Sequence, residues 1–318
     1  MPRVMRAAAS ALLTVALPFG CTGCAAPAGH APLVAVATTT QLGSVVGEIV
    51  ACAGGTSSTL MTPGLDPHEF SLSSAEVAGM ERARLVVANG LGLEGGMASA
   101  LANVVRDGGR VYDAAADVDP IDLSSVHADP RTGLAPVAVD DGVADPHFWL
   151  DAGRMARAAV NIGGQLADAT GEAAYAECGR TVGVRLQALD AEVRTILAAV
   201  PAERRVLVTD HEAFNYFAAA YRFTVAGVVV PGGSSDADPS SADLGAVIAV
   251  IRKAGVKAIF SNTAVSPKLV QAVSADAGGS VRVVPLYVDS VGPPGSGAET
   301  YAAMMLADAR AIASALAD

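Results

Sequence analysis

Histidine, cysteine and positive charge are all in short supply in this 318-residue chain. There are five His, four Cys, and 21 Lys and Arg against 32 Asp and Glu, a net charge of −11. That balance argues against nucleic acid or an anionic lipid surface as the main ligand and is compatible with a cationic one. Cys52 and Cys178, the two cysteines beyond the amino-terminal Cys21-Thr22-Gly23-Cys24, form no Cys-x-x-Cys spacing, which disfavours a zinc site built on thiolates. Gly-x-Ser-x-Gly, His-Glu-x-x-His and the P-loop are missing as well. The hydrolase elbow, the zincin helix and the Walker-type nucleotide cradle therefore have no sequence basis. Gly and Pro are not periodic, which excludes collagen, and a 52% hydrophobic composition excludes wholesale disorder. No run reaches the roughly 18 apolar residues of a membrane-spanning helix. The length suggests two lobes of roughly 100–200 residues each.

The amino terminus reads as an export signal. Arg3 and Arg6 precede a 13-residue apolar run, Ala7 to Phe19, too short to span a bilayer. Cys21-Thr22-Gly23-Cys24-Ala25 follows and resembles the bacterial lipobox, in which a Cys is acylated and becomes the new N-terminus. Cys24, behind the small Thr22 and Gly23, fits that role better than Cys21, behind Pro18 and Phe19. The expectation is a signal peptide over 1–23 and a lipid-anchored tether over 24–32. The mature chain would then sit on the outer face of the cytoplasmic membrane. Cys52 and Cys178 remain in it. Thiols outside the cytoplasm tend to be oxidised, so this even pair is expected to form one disulfide, with two buried free thiols as the alternative.

Strand and helix signals alternate through the rest, the pattern of βαβ units and parallel sheets. Leu33 to Thr38 is β-like, and Leu42, Val45, Val46 and Ile49 repeat at helical spacing. Thr56 to Met61 reads as a strand, and Ser73-Ser74-Ala75-Glu76 is a capping box opening a helix. Short strands follow at Leu85 to Ala88 and within Gly108 to Asp113. Pro120 to Ala144 reads as a long loop, and Asp151 caps a helix through Met155, Ala159, Ile162 and Leu166. A longer helical pattern runs from Glu177 to about Ala199. Strand signals then return at Val206 to Thr209, Val225 to Val230, Ala258 to Phe260 and Val281 to Pro285. The fold class is α/β, with two lobes, each a mostly parallel sheet flanked by helices. The amino-terminal lobe is placed at 33–176, a linking helix at 177–200 and the carboxy-terminal lobe at 201–318.

Three of the five histidines stand in similar settings. His68 and His147 each follow Asp-Pro, where the Pro stiffens the backbone ahead of the ring. His211 directly follows a strand in Thr209-Asp210-His211-Glu212. It is expected in the first turn of a helix, with Thr209 and Glu212 at capping-box spacing, and the positive helix end should keep its ring neutral and able to coordinate. Ligands of open α/β sheets gather at the carboxyl ends of strands, where all three lie. His30 and His127 are read as solvated. A rival motif is Gly90-Leu91-Gly92-Leu93-Glu94-Gly95, with Asp113 18 residues beyond it, close to a dinucleotide fingerprint.

Six segments occur in order: Val34-Ala35-Val36-Ala37-Thr38-Thr39, Pro63-Gly64-Leu65-Asp66-Pro67-His68-Glu69, Ala88-Asn89-Gly90-Leu91-Gly92-Leu93-Glu94, Asp145-Pro146-His147-Phe148-Trp149-Leu150-Asp151, Thr209-Asp210-His211-Glu212-Ala213-Phe214 and Thr300-Tyr301-Ala302-Ala303-Met304-Met305. Together they resemble the cluster A-I metal-binding solute receptors of bacterial zinc and manganese ABC transporters, over essentially the whole mature chain. The resemblance implies two lobes bridged by one long rigid helix with the metal held between them. It implies the ligands His68, His147, His211 and Asp289, an ABC permease with its cytoplasmic ATPase as partner, a monomer, and no enzymatic activity. It re-reads the Gly90 loop as a family turn without nucleotide. The accessory His-rich loop of many zinc members is reduced here to His127 with a few acids.

Three imidazoles and one carboxylate suit the tetrahedral preference of Zn2+, whereas Mn2+ favours more oxygen. Zinc is therefore the expected cargo and manganese the alternative. From a different class, an exported zinc hydrolase would use Glu69 or Glu212 as base and keep a coordination position open for water.

Overall fold

The computed structural model describes residues 1–2, 33–123, 142–232, 235, 238–279 and 281–317. The expected signal peptide, Cys24 with its tether, His30 and His127 lie outside the described residues.

The first sheet grows from β1 (Leu33–Ala37), whose sequence Leu-Val-Ala-Val-Ala is apolar throughout because both faces are covered. It pairs in parallel with β2 (Thr56–Thr59) and β3 (Leu85–Ala88), and β3 with β4 (Val111–Asp113), in the order β2-β1-β3-β4. The crossovers are α1 (Thr40–Cys52), α2 (Ser74–Arg82) and α3 (Ala98–Arg106). Thr39 caps α1 by accepting from the Leu42 amide, and Ser73 and Glu76 form both bonds of the capping box that opens α2.

The second sheet repeats the plan, with β5 (Val206–His211), β6 (Thr224–Val230), β7 (Ala258–Asn262) and β8 (Arg282–Leu286) all parallel in the order β6-β5-β7-β8. Its helices are α6 (Asn215–Tyr221), α7 (Ser241–Ala254), α8 (Lys268–Asp276) and α9 (Tyr301–Leu316). The chain thus has the two-lobe α/β architecture expected of it.

Between the sheets in sequence lie α4 (Ala152–Thr170), capped by Asp151, and α5 (Ala174–Leu197). The 24 residues of α5 span about 36 Å at 1.5 Å per residue. The two helices approach so closely that a Cβ on Gly179 would stand 2.8 Å from the Gly163 Cα, so glycine is required there. A disulfide joins Cys52, the last residue of α1, to Cys178 in α5, with Cα atoms 5.9 Å apart.

One cluster of buried apolar side chains runs through both lobes. It extends from Val34 and Val87 of the first sheet, through Met155 and Ile162 of α4 and Val182 and Leu189 of α5, to Leu207, Phe260 and Met304 in the second half. Each such side chain contributes roughly 1.5–3 kcal/mol on leaving water. Two smaller clusters lie elsewhere, one around Val36 and Val86, the other around Val229 and Ile259. No helix among the described residues is long and apolar enough to cross a membrane.

Candidate metal centre

The carboxyl ends of the strands deliver four side chains to one place. His68 comes from the loop after β2, His147 from the segment before α4, His211 is the last residue of β5, and Asp289 follows β8. One ligand atom from each lies within 4.8 Å of the others, the only group of at least three His, Cys, Asp or Glu placed to hold a metal among the described residues. His147 Nε2 is 3.3 Å from His68 Nε2, and His211 Nε2 is 3.3 Å from Asp289 Oδ2. The wider pair, His147 Nε2 to Asp289 Oδ1, is 4.0 Å. His147, His211 and Asp289 are buried, while His68 is half-buried.

Each of the two buried rings is aimed by an aspartate. Asp145 Oδ1 accepts the His147 backbone N–H and the ring Nδ1–H, both at 2.8 Å. Asp210 Oδ1 accepts from His211 in the same two ways, at 2.8 and 3.0 Å. A carboxylate can only accept, so the proton is drawn to Nδ1 and Nε2 is left facing the cleft. His68 is anchored through its backbone, its N–H donating to Asp66 Oδ1 at 2.9 Å. Asn89 Nδ2 donates to the Pro146 carbonyl at 2.9 Å and Tyr216 Oη to the Asp145 carbonyl at 2.8 Å, which fixes the segment carrying His147. Asn262 supports Asp289 with a 2.6 Å bond to Oδ2, and its backbone N–H donates to Asp210 Oδ2.

Burial and crowded carboxylates set the electrostatics of the site. Burial pushes Asp289 up to about 7, with Asp66, Asp210 and Asp145 adding repulsion that the His211 charge offsets only in part. Burial likewise raises Asp145 to about 7. Burial works against the charged form of His211, but Asp289 and Asp210 prevail and raise it to about 9. His147 is held well below the ordinary histidine value, by burial first and then by the neighbouring His211 charge. His211 Nε2 and Asp289 Oδ1 are buried without a hydrogen-bond partner, the condition of donors reserved for something else.

One expectation is corrected. His211 is not in a helix: β5 runs through it and α6 begins only at Asn215. The Thr209 hydroxyl donates to the His211 carbonyl at 2.8 Å rather than capping anything. No helix end therefore keeps the ring neutral, and the facing carboxylates favour its charged form. The rival reading of the glycine loop as a dinucleotide cradle, which the family resemblance sets aside, does not fit the structure either. The amides of Asn89 and Gly90, which a pyrophosphate would need, donate to the Glu94 carboxylate at 2.5 and 3.1 Å, and Thr38 Oγ1 donates to it at 2.7 Å. Gly90 has φ +87° and packs on Asp113, where a Cβ would come within 2.9 Å.

Of the two glutamates that could serve as a base, Glu69 is exposed on its loop, and Glu212 is buried and raised to about 7 by desolvation. Sequence reasoning missed the roles of Asp145, Asp210, Asn262 and Glu94. The first two could have been found from their place immediately beside the histidines; Asn262 carried no local signal.

The profile of the ZnuA family, zinc-uptake complex component A, periplasmic, matches residues 35–315. The chain is 30% identical over 311 residues to the manganese-binding lipoprotein MntA of Bacillus subtilis, covering 94% of this chain and 95% of that protein. It is 30% identical over 266 residues to the zinc-binding protein TroA of Treponema pallidum, covering 81% and 80%. The solved structure of that periplasmic zinc-binding TroA superposes with a TM-score of 0.76 at 27% identity, covering 91% of this chain and all of that one.

Proposed function

The chain belongs to the ZnuA family of metal-binding solute receptors, which are not enzymes, and on that premise we propose that it captures Zn2+ with His68, His147, His211 and Asp289 and delivers it to an ABC permease driven by a cytoplasmic ATPase. The observation that carries the choice of metal is the donor set and its spacing. A tetrahedral zinc with bonds of about 2.0–2.1 Å has ligand atoms about 3.3–3.4 Å apart. The 3.3 Å separations of His68 from His147 and of His211 from Asp289 match two such edges, and the remaining separations, none above 4.8 Å, would close around the ion. Three nitrogens and one carboxylate also rank zinc above manganese, which prefers oxygen and a higher coordination number. Four protein donors leave no position for an activated water, the requirement of the hydrolase alternative.

The mature receptor is a monomer anchored through Cys24 after removal of residues 1–23, with Cys52 and Cys178 oxidised. Competitive titration of zinc and manganese, with elemental analysis of protein purified without added metal, tests the assignment. One equivalent of zinc, not displaced by equimolar manganese, is expected. Retention of manganese against zinc would assign the other cargo. His211→Glu, which exchanges nitrogen for oxygen, should shift preference toward manganese.

A further inference from the structure

By chain order Asp289 belongs to the second lobe, since it follows β8. Its hydrogen bonds tell a different story. The Val288 carbonyl accepts from Trp149 Nε1 at 2.8 Å and from Gln41 Nε2 at 3.3 Å. Ser290 Oγ accepts from the Gly64 amide at 2.8 Å and lies 3.4 Å from Thr40 Oγ1. Thr40 Oγ1 in turn accepts from the Val291 amide at 3.0 Å. Trp149, Gln41, Gly64 and Thr40 all precede α5 and belong with the first sheet. Val288, Asp289, Ser290, Thr40, Gln41 and Trp149 are all buried, so these bonds are shielded from competing water. Against them, the second lobe reaches the segment through Asn262, which donates to the Asp289 carboxylate, through His211, whose Nε2 is 3.3 Å from it, and through Asp308 of α9, which accepts from the Tyr287 amide.

We infer that Ser290 and Thr40 are positioning residues that fasten the Asp289 segment to the first lobe. The inference rests on the reading of Asp289 as a zinc ligand. The Ser290 hydroxyl serves two ligands at once, because Gly64 lies in the loop that carries His68. Three donors, His68, His147 and Asp289, are then mechanically part of the first lobe, and His211 alone stands on the second. Loss of the clamp frees Asp289 and slackens the His68 loop together. Its effect should appear mainly in how fast the ion leaves, since the clamp holds a geometry and supplies no charge.

The test uses the full mature chain with Ser290→Ala and Thr40→Val, which remove one hydroxyl each, Thr40→Ser, which keeps it, and Asp289→Ala for reference. Zinc dissociation into excess chelator, the melting temperature of metal-stripped protein and the visible spectrum of the Co2+-substituted site are measured for each. Ser290→Ala and Thr40→Val should speed dissociation about 10–100-fold, the usual cost of losing a ligand's outer partner. The cobalt spectrum should move toward that of Asp289→Ala while Thr40→Ser remains like wild type. Unchanged dissociation and spectrum in Ser290→Ala and Thr40→Val overturn the clamp, as does a lower melting temperature with an unmoved cobalt spectrum. If wild type and Asp289→Ala hold zinc equally well, the ligand assignment itself falls, a failure distinct from that of the clamp.

Discussion

Each lobe presents the cleft with a histidine backed by an aspartate, yet the two halves hold their protons oppositely. His147 on Asp145 is kept neutral, whereas His211 on Asp210 is raised to about 9. The aspartates behind the rings are alike in distance, 2.8 and 3.0 Å. The difference lies in front. Asp289 Oδ2 faces His211 Nε2 at 3.3 Å, while His147 meets the same carboxylate only at 4.0 Å and also feels the His211 charge. A shared local motif aims a ring; what titrates it comes from the other side of the cleft. The lobes differ in a second way, for α1 of the first is stapled to α5, and the chain after residue 200 contains no cysteine at all.

The strongest way to break the comparison is to remove each ring. His147→Ala and His211→Ala should each cost more zinc affinity than the 10–100-fold expected for an orienting carboxylate. Retention of wild-type affinity by both variants, in titration against a competing chelator, would reduce the Asp-Pro-His pattern to turn chemistry. The staple comes next. Opening a loop with a sequence separation of 126 by Cys52→Ala with Cys178→Ala should cost about 4–5 kcal/mol on chain entropy alone. Denaturant unfolding of oxidised and doubly substituted protein reads that loss. Two free thiols titrated in denatured, unreduced wild type would remove its basis.

Asp145→Asn and Asp210→Asn should each weaken zinc by about 10–100-fold. Asp210→Asn should in addition lower the pKa of His211, because Asp210 is one of the groups that raises it. Ring NMR of the metal-free protein checks this, and an unmoved titration would contradict the electrostatic account. The effect of pH is graded, with no single step. His211 carries a proton below about 9 that zinc must displace, so affinity falls as pH drops. The fall is roughly tenfold per pH unit while that proton alone competes, and steeper once Asp289, raised to about 7, also protonates. A flat affinity from about pH 9 down to 7 would mean that the ring is neutral throughout.

Much of this was legible in the sequence because it is local. The apolar run of β1, the Ser73–Glu76 box and the Asp151 cap are decided by neighbours, and the structure has them. The Asp-Pro-His settings marked two stiff loops for the same reason. Asp289 carries no local motif of its own and is found only through resemblance to a family. Asn262, 27 residues away on β7, could not be read at all, since its partnership exists only once β7 and β8 pair. The misreading of His211 has the same origin. Its proton is governed by Asp289, 78 positions along the chain, and no window of local sequence contains both. The glycine loop misleads because Glu94 reaches back to fill its own cradle, a bond that the spacing Gly-x-Gly-x-x-Gly does not encode.

The apolar cluster that runs from β1 through α4 and α5 to α9 has a bearing on how the molecule comes apart. Neither sheet owns a complete interior. A fragment cut at the end of α5 would lose the packing of α5 on α9 and leave apolar surface of the shared cluster facing water. The mature chain is therefore one cooperative folding unit despite its two sheets, and heat should carry it through a single transition whose calorimetric and van't Hoff enthalpies coincide.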